Sequence, residues 1–197
     1  MIQIQELIKH FVLGIVSIFI IHNAMADDTK IRNFLNEIRE VKEEYAKDSF
    51  EYSIPNSFIL TVATAETGNM EFKGAPTAKE GNNFFGVHGV GTDGFLTTEG
   101  GATLAKYKTP KDSIKAFINL MKTGSAYDDV RKAINENKPV ESMFNAMGSY
   151  AEKTDYTQFL NTVYRSRVNE ILNPILPKRK PFSKKRKPLG MQMQGLQ

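Results

Sequence analysis

Cysteine is absent from the 197 residues and histidine occurs only three times. The first absence excludes a disulfide framework and a thiolate nucleophile, and is compatible with the bacterial periplasm or exterior. The second leaves little for a catalytic zinc site, because His10 and His22 stand in or beside an N-terminal apolar run and His88 is alone. No metal and no cofactor is expected. Long hydrophobic runs are scarce too. Residues 11–21 form an uncharged apolar stretch that falls short of the roughly 20 residues a membrane span needs. Lys9 before it and Ala24-Met25-Ala26 after it make 1–26 read as a signal peptide for periplasmic or secreted export, with an uncleaved inner-membrane anchor as the alternative.

Acid is missing beyond Glu170, whereas seven Lys and Arg crowd the segment from Lys178 to Lys187. The net charge of +4 therefore describes a tail, since removing those seven charges leaves −3 on 27–177. Such a distribution is no footprint of a nucleic-acid-binding domain, and no nucleic-acid partner is expected. The tail, 178–197, reads as a basic disordered end, either merely solvated or attracted to an anionic envelope surface.

What remains, 27–177, is long enough for one domain with one core, and no composition shift divides it. Ile31, Phe34, Leu35, Ile38, Val41 and Tyr45 repeat at helical spacing and predict a helix over 29–47. Ser53 as cap and Pro55 in the first turn open a second helix, with Phe58, Ile59, Val62 and Ala63 inside and Thr67-Gly68 at its end. Glu66 falls in its last turn. Seven of the 14 glycines lie between Gly81 and Gly101, among β-prone stretches at 84–87, 95–98 and 103–108, which reads as a small antiparallel hairpin or meander. Helical patterning resumes after Thr109-Pro110 up to Gly124, then over about 127–136 and 140–147. A longer helix follows over about 155–172, with Phe159, Leu160, Val163, Val168 and Ile171 in the core. The fold class is α+β, mainly α, with a small antiparallel β-hairpin lobe.

Glycoside hydrolysis needs a carboxylic acid to protonate the leaving oxygen, and burial is what keeps such a group protonated near neutral pH. Glu66, closing an apolar helix at the unfavourable end of its dipole, is the candidate; a solvated acid at a helix end is the plain alternative. Around it stand Ala65-Glu66-Thr67-Gly68, Asn82-Asn83-Phe84-Phe85-Gly86-Val87, Thr97-Thr98-Glu99, Tyr107 with Ser113, Ser149-Tyr150-Ala151-Glu152 and Asp155-Tyr156. In this order and spacing, over about 30–172, the chain resembles the glucosaminidase domain of glycoside hydrolase family 73, especially its Bax-like members, which are bacterial peptidoglycan hydrolases.

The resemblance implies a lysozyme-like helical lobe beside the β lobe. It also implies hydrolysis of the β-1,4 bond between N-acetylglucosamine and N-acetylmuramic acid in the peptidoglycan glycan strand, by a monomer. Glu66 would be the general acid, Glu99 a second carboxylate on the hairpin, and Tyr150 a hydroxyl near the acid. Asn82 and Asn83 would bond the sugar, Gly86 would let backbone approach it, and Tyr156 is a lesser candidate for substrate binding. Of Phe84 and Phe85, one would offer a ring to the cleft and the other would anchor in the core. The chain departs from the family where Glu-Lys-Thr-Asp-Tyr follows Tyr150-Ala151, so Asp155 stays outside the catalytic set, and where His88 replaces a common Lys. A lytic transglycosylase on the same fold and a catalytically silent cell-wall-binding module are the alternatives.

Overall fold

A computed structural model describes residues 28–72, 75–148 and 155–173. The signal 1–26, the tail 178–197 and Tyr150 lie outside the described residues. Helix α1 spans 28–43, and Ile31, Phe34, Leu35, Ile38 and Val41 are all buried along one face. It stops four residues short of the expected end. The N–H groups of Glu44 and Tyr45 bond three residues back, to Val41 and Lys42, which tightens the last turn and closes the helix.

A short helix absent from the sequence reading follows, α2 (Phe50–Ser53), capped by the Ser49 side chain. Ser53 therefore belongs to this turn, its Oγ donating to the Phe50 carbonyl, and it does not cap the next helix. That helix, α3 (Asn56–Glu66), begins after Pro55 without a side-chain cap, and every residue from Phe58 to Ala65 is buried. A helix apolar all round belongs in the centre of a core. Its hydroxyls are satisfied within the helix: Thr61 and Thr64 donate to the carbonyls of Ser57 and Leu60, each at 2.7 Å. Full burial of Phe58, Ile59, Leu60 and Val62 contributes roughly 1.5–3 kcal/mol per side chain. Phe58 packs between the rings of Phe117 and Phe144, at 6.1 and 5.8 Å. Beside this core the amine of Lys42 is also buried, donating to the Ile54 carbonyl at 2.5 Å, and burial pulls its pKa down to about 8.

After α4 (Pro76–Glu80) the chain enters the β lobe, a hairpin of β1 (Phe95–Thr97) and β2 (Thr103–Ala105) with Phe95 opposite Ala105 and Thr97 opposite Thr103. Of the stretch expected to begin the sheet, residues 84–87 form a turn instead, because the Phe85 ring is drawn into the helical core; pairing starts at His88, opposite Leu104. Helix α5 (Pro110–Thr123) starts as expected at Thr109-Pro110, where Thr109 and Asp112 form a reciprocal cap, and stops at Gly124. A 3₁₀ turn (Ser125–Tyr127), α6 (Asp128–Asn135) and α7 (Val140–Asn145) follow.

The last helical stretch is α8 (Tyr156–Val163), a π-helical turn (Tyr164–Val168) and α9 (Asn169–Leu172). Tyr156, Leu160, Val168 and Ile171 take its inner face. Phe159, expected in the core, is 46% exposed because it falls on the outer one. The fold is α+β and mainly helical, as expected. No helix among the described residues is long and apolar enough to cross a membrane.

Candidate active site

Glu66 is where the buried helix α3 emerges: Ala65 before it and Thr67 after it are buried, and the Glu66 side chain is half-buried. Its Oε1 accepts a hydrogen bond from the Tyr156 hydroxyl at 2.6 Å. Tyr156 is the first residue of α8 and only 5% exposed, so the packing of α8 against α3 delivers the hydroxyl. On the other side lies Gly86, at φ +62°, where an added Cβ would stand 3.2 Å from Glu66 Oε2. Glycine meets two demands there, a left-handed backbone and close approach to a carboxyl oxygen. The two oxygens are thereby distinguished. Oε1 is engaged by the Tyr156 hydroxyl and Oε2 faces the Gly86 loop.

Behind the carboxyl group the chain reverses through a turn in which Gly68, Asn69, Met70 and Phe72 all have positive φ. For the three non-glycine residues this conformation costs about 1–2 kcal/mol each. Thr67 offsets the cost: its buried Oγ1 donates to the Ala63 carbonyl at 2.6 Å and accepts from the Met70 N–H at 2.9 Å, while its carbonyl accepts from Phe72 at 2.7 Å.

Asn82 and Asn83 hold the facing loop. Asn83 is buried, its amide donates to the carbonyls of Val87 and Ala105 at 2.8 and 3.0 Å, and its Oδ1 accepts from the Val87 N–H at 3.0 Å. Asn82, at φ +48°, donates to the Tyr107 and Lys108 carbonyls. Both side chains, expected to face sugar, are thus engaged by backbone, and they fix the position of Gly86 between them and the hairpin. Of the two phenylalanines, Phe85 is wholly buried and stacks on Phe117 at 4.2 Å. Phe84 stacks on Phe34 at 4.4 Å, meets Phe72 edge-on, and lines with them an apolar cavity of about 270 Å³ whose walls do not include Glu66.

Glu99 is exposed in the turn between β1 and β2, and Asp93 pairs with Lys106 at 3.3 Å. His88 is exposed at the edge of the hairpin. Among the described residues, no group of three or more His, Asp or Glu side chains stands close enough to hold a metal ion. The structure therefore brings Glu66, Tyr156 and Gly86 together, with Asn83 supporting the loop, and leaves Glu99 outside that contact. Tyr156, a lesser substrate-binding candidate in the sequence, has its hydroxyl on Glu66. Its i, i+4 relation to Leu160 places it on the buried face of α8, a signal that was available.

The family model described as mannosyl-glycoprotein endo-beta-N-acetylglucosaminidase matches residues 42–168. No curated protein matches by sequence. Among solved structures, the catalytic domain of the autolysin Auto from Listeria monocytogenes is similar at 21% identity and a TM-score of 0.52, over 72% of this chain and 84% of that one. An N-acetylmuramoyl-L-alanine amidase from Staphylococcus aureus is similar at 16% identity and a TM-score of 0.58, over 84% of this chain and 50% of that one. A type VI secretion system effector–immunity complex from Pseudomonas protegens gives 13% identity and a TM-score of 0.51, over 74% and 94%. At such identities these likenesses are likenesses of fold.

Proposed function

From its membership of the glucosaminidase family, to which the chain belongs over residues 42–168, we propose that this glycoside hydrolase is an exported enzyme using Glu66 as general acid on the β-1,4 bond between N-acetylglucosamine and N-acetylmuramic acid. A cell-wall polymer as substrate accords with the family, and the autolysin and amidase whose folds it shares are named for wall-degrading activities. The observation that carries the reading is the Tyr156–Glu66–Gly86 arrangement at the end of a helix buried from Phe58 to Ala65. Tyr156 holds one carboxyl oxygen, so the proton is directed from the other toward the leaving oxygen of the sugar bond. Glu99, on the hairpin, is the candidate for positioning the attacking water.

The test joins one substitution to product analysis on purified peptidoglycan. Glu66→Gln keeps the shape of the side chain without an acidic proton, and a loss of about 10²–10⁴ in turnover with an unchanged circular dichroism spectrum is expected. Wild-type products should end in reducing N-acetylglucosamine. Near-normal turnover by E66Q would remove the acid, and a 1,6-anhydromuramyl product would replace hydrolysis with transglycosylation.

A further inference from the structure

Next to Tyr156, on the outer side of α7 and α8, lies a polar recess of about 530 Å³ lined by Glu141, Asn145, Asp155, Thr157, Gln158, Asn161 and Arg165. Glu141, Asp155 and Arg165 make no ion pair among the described residues, although they share one concavity. Three lysines of α5, by contrast, each meet an acid: Lys111 with Glu40, Lys115 with Glu44 and Lys122 with Glu51, each at 2.6 Å. Arg165 sits in the π-helical turn Tyr164–Val168, a rare interruption that changes where side chains leave a helix and that recurs at functional sites.

Reach connects this recess to the catalytic centre. Asp155 and Thr157 flank Tyr156 in the chain, so their Cα atoms lie one peptide unit, about 3.8 Å, from that of the tyrosine whose hydroxyl touches Glu66. One wall of the recess is therefore continuous in the chain with the residue that touches Glu66. Its chemistry follows from the lining: a carboxylate for Arg165, an amine for Glu141 or Asp155, and amide groups for Asn145 and Gln158. A short peptide bearing both free carboxylates and an amine fits that set, whereas a neutral glycan does not use it. The peptide side chains that branch from the muramic acid of peptidoglycan have this chemistry, and four or five extended residues span roughly 13–17 Å.

We propose that the recess of Glu141, Asp155 and Arg165 binds the peptide branch of peptidoglycan and thereby selects peptide-bearing glycan as substrate. The assignment rests on the proposed cell-wall activity, so its test has a readout independent of turnover. Wild type and Arg165→Gln are compared on intact peptidoglycan and on the same polymer stripped of peptides by an amidase, with circular dichroism as the folding control. Losing one charge-assisted hydrogen bond is expected to lower kcat/KM about tenfold, with the loss confined to the peptide-bearing polymer. Equal turnover by the two proteins on intact peptidoglycan overturns the assignment, as does an equal loss on both polymers.

Separately, the free branch peptide is titrated into Glu66→Gln protein and followed by amide chemical shifts. Shifts around residues 155–165 that disappear when Arg165→Gln is added support the recess even if the catalytic reading fails. Shifts that persist in the double variant overturn it.

Discussion

The two segments that meet at Glu66 are held by different forces. Helix α3 is fixed by burial: its residues from Phe58 to Ala65 are inaccessible, and even its threonines satisfy their hydroxyls internally. The loop carrying Gly86 is fixed by direction, through the side-chain bonds of Asn83 to Val87 and Ala105 and of Asn82 to Tyr107 and Lys108. Burial is non-directional and spread over many contacts, so it tolerates modest change at any one of them. A buried amide that closes three hydrogen bonds concentrates the same task in one residue. The acid therefore stands on a broad support, and the wall opposite it stands on a narrow one.

The contrast is most open to being broken at Asn83. Asn83→Ala removes the side-chain partner of the Val87 N–H and of the Ala105 carbonyl, while the Val87 carbonyl keeps the Ala105 N–H, and should cost about 3 kcal/mol in urea unfolding, together with most of the activity. Leu60→Ala should cost a comparable 2–5 kcal/mol yet leave the activity of the folded fraction near normal. An N83A protein within about 1 kcal/mol of wild type would show that the loop does not depend on this amide.

A smaller effect sharpens the other side of the comparison, because Lys42 is a charge inside the region that burial organises. Its folded pKa of about 8 lies below the ordinary 10.5, so between those values the unfolded chain binds more protons and stability rises with pH. Unfolding measured at pH 7 and pH 9.5 should show wild type gaining about 2 kcal/mol on Lys42→Met, the gap closing upward from pH 8. A constant gap would place the amine in contact with water.

The smallest change concerns the junction itself. Tyr156→Phe keeps the ring in the core and removes the donor to Glu66 Oε1, so kcat should fall about tenfold with KM and melting temperature little altered. A change confined to KM would mean that the hydroxyl serves binding and does not orient the acid.

Much of this molecule was legible in the order of its residues. The apolar spacing of α1, the Thr109-Pro110 start of α5, the hairpin between Phe95 and Ala105 and the placing of Glu66 in the last turn of an apolar helix all rest on interactions spanning a few positions, which periodicity and turn chemistry report. Short elements escaped notice: α2 and α4, of four and five residues, hold too few turns to show a pattern. Phe159 and Asn83 were misjudged for a common reason. Whether a ring or an amide faces inward depends on the partner element, and the partner is remote in sequence.

By itself, then, the sequence determined a mainly helical domain with a glycine-rich hairpin, and it determined that a carboxylate closes its most apolar helix, because both follow from local pattern and the burial that pattern demands. Only the tertiary structure decided that Tyr156, 90 residues away, donates to that carboxylate, and that Gly86 covers its other oxygen while Asn83 turns inward to hold the loop. Those contacts come from the packing of α8 and the approach of the Gly86 loop to the end of α3, where close packing admits few arrangements and no short-range signal names them in advance.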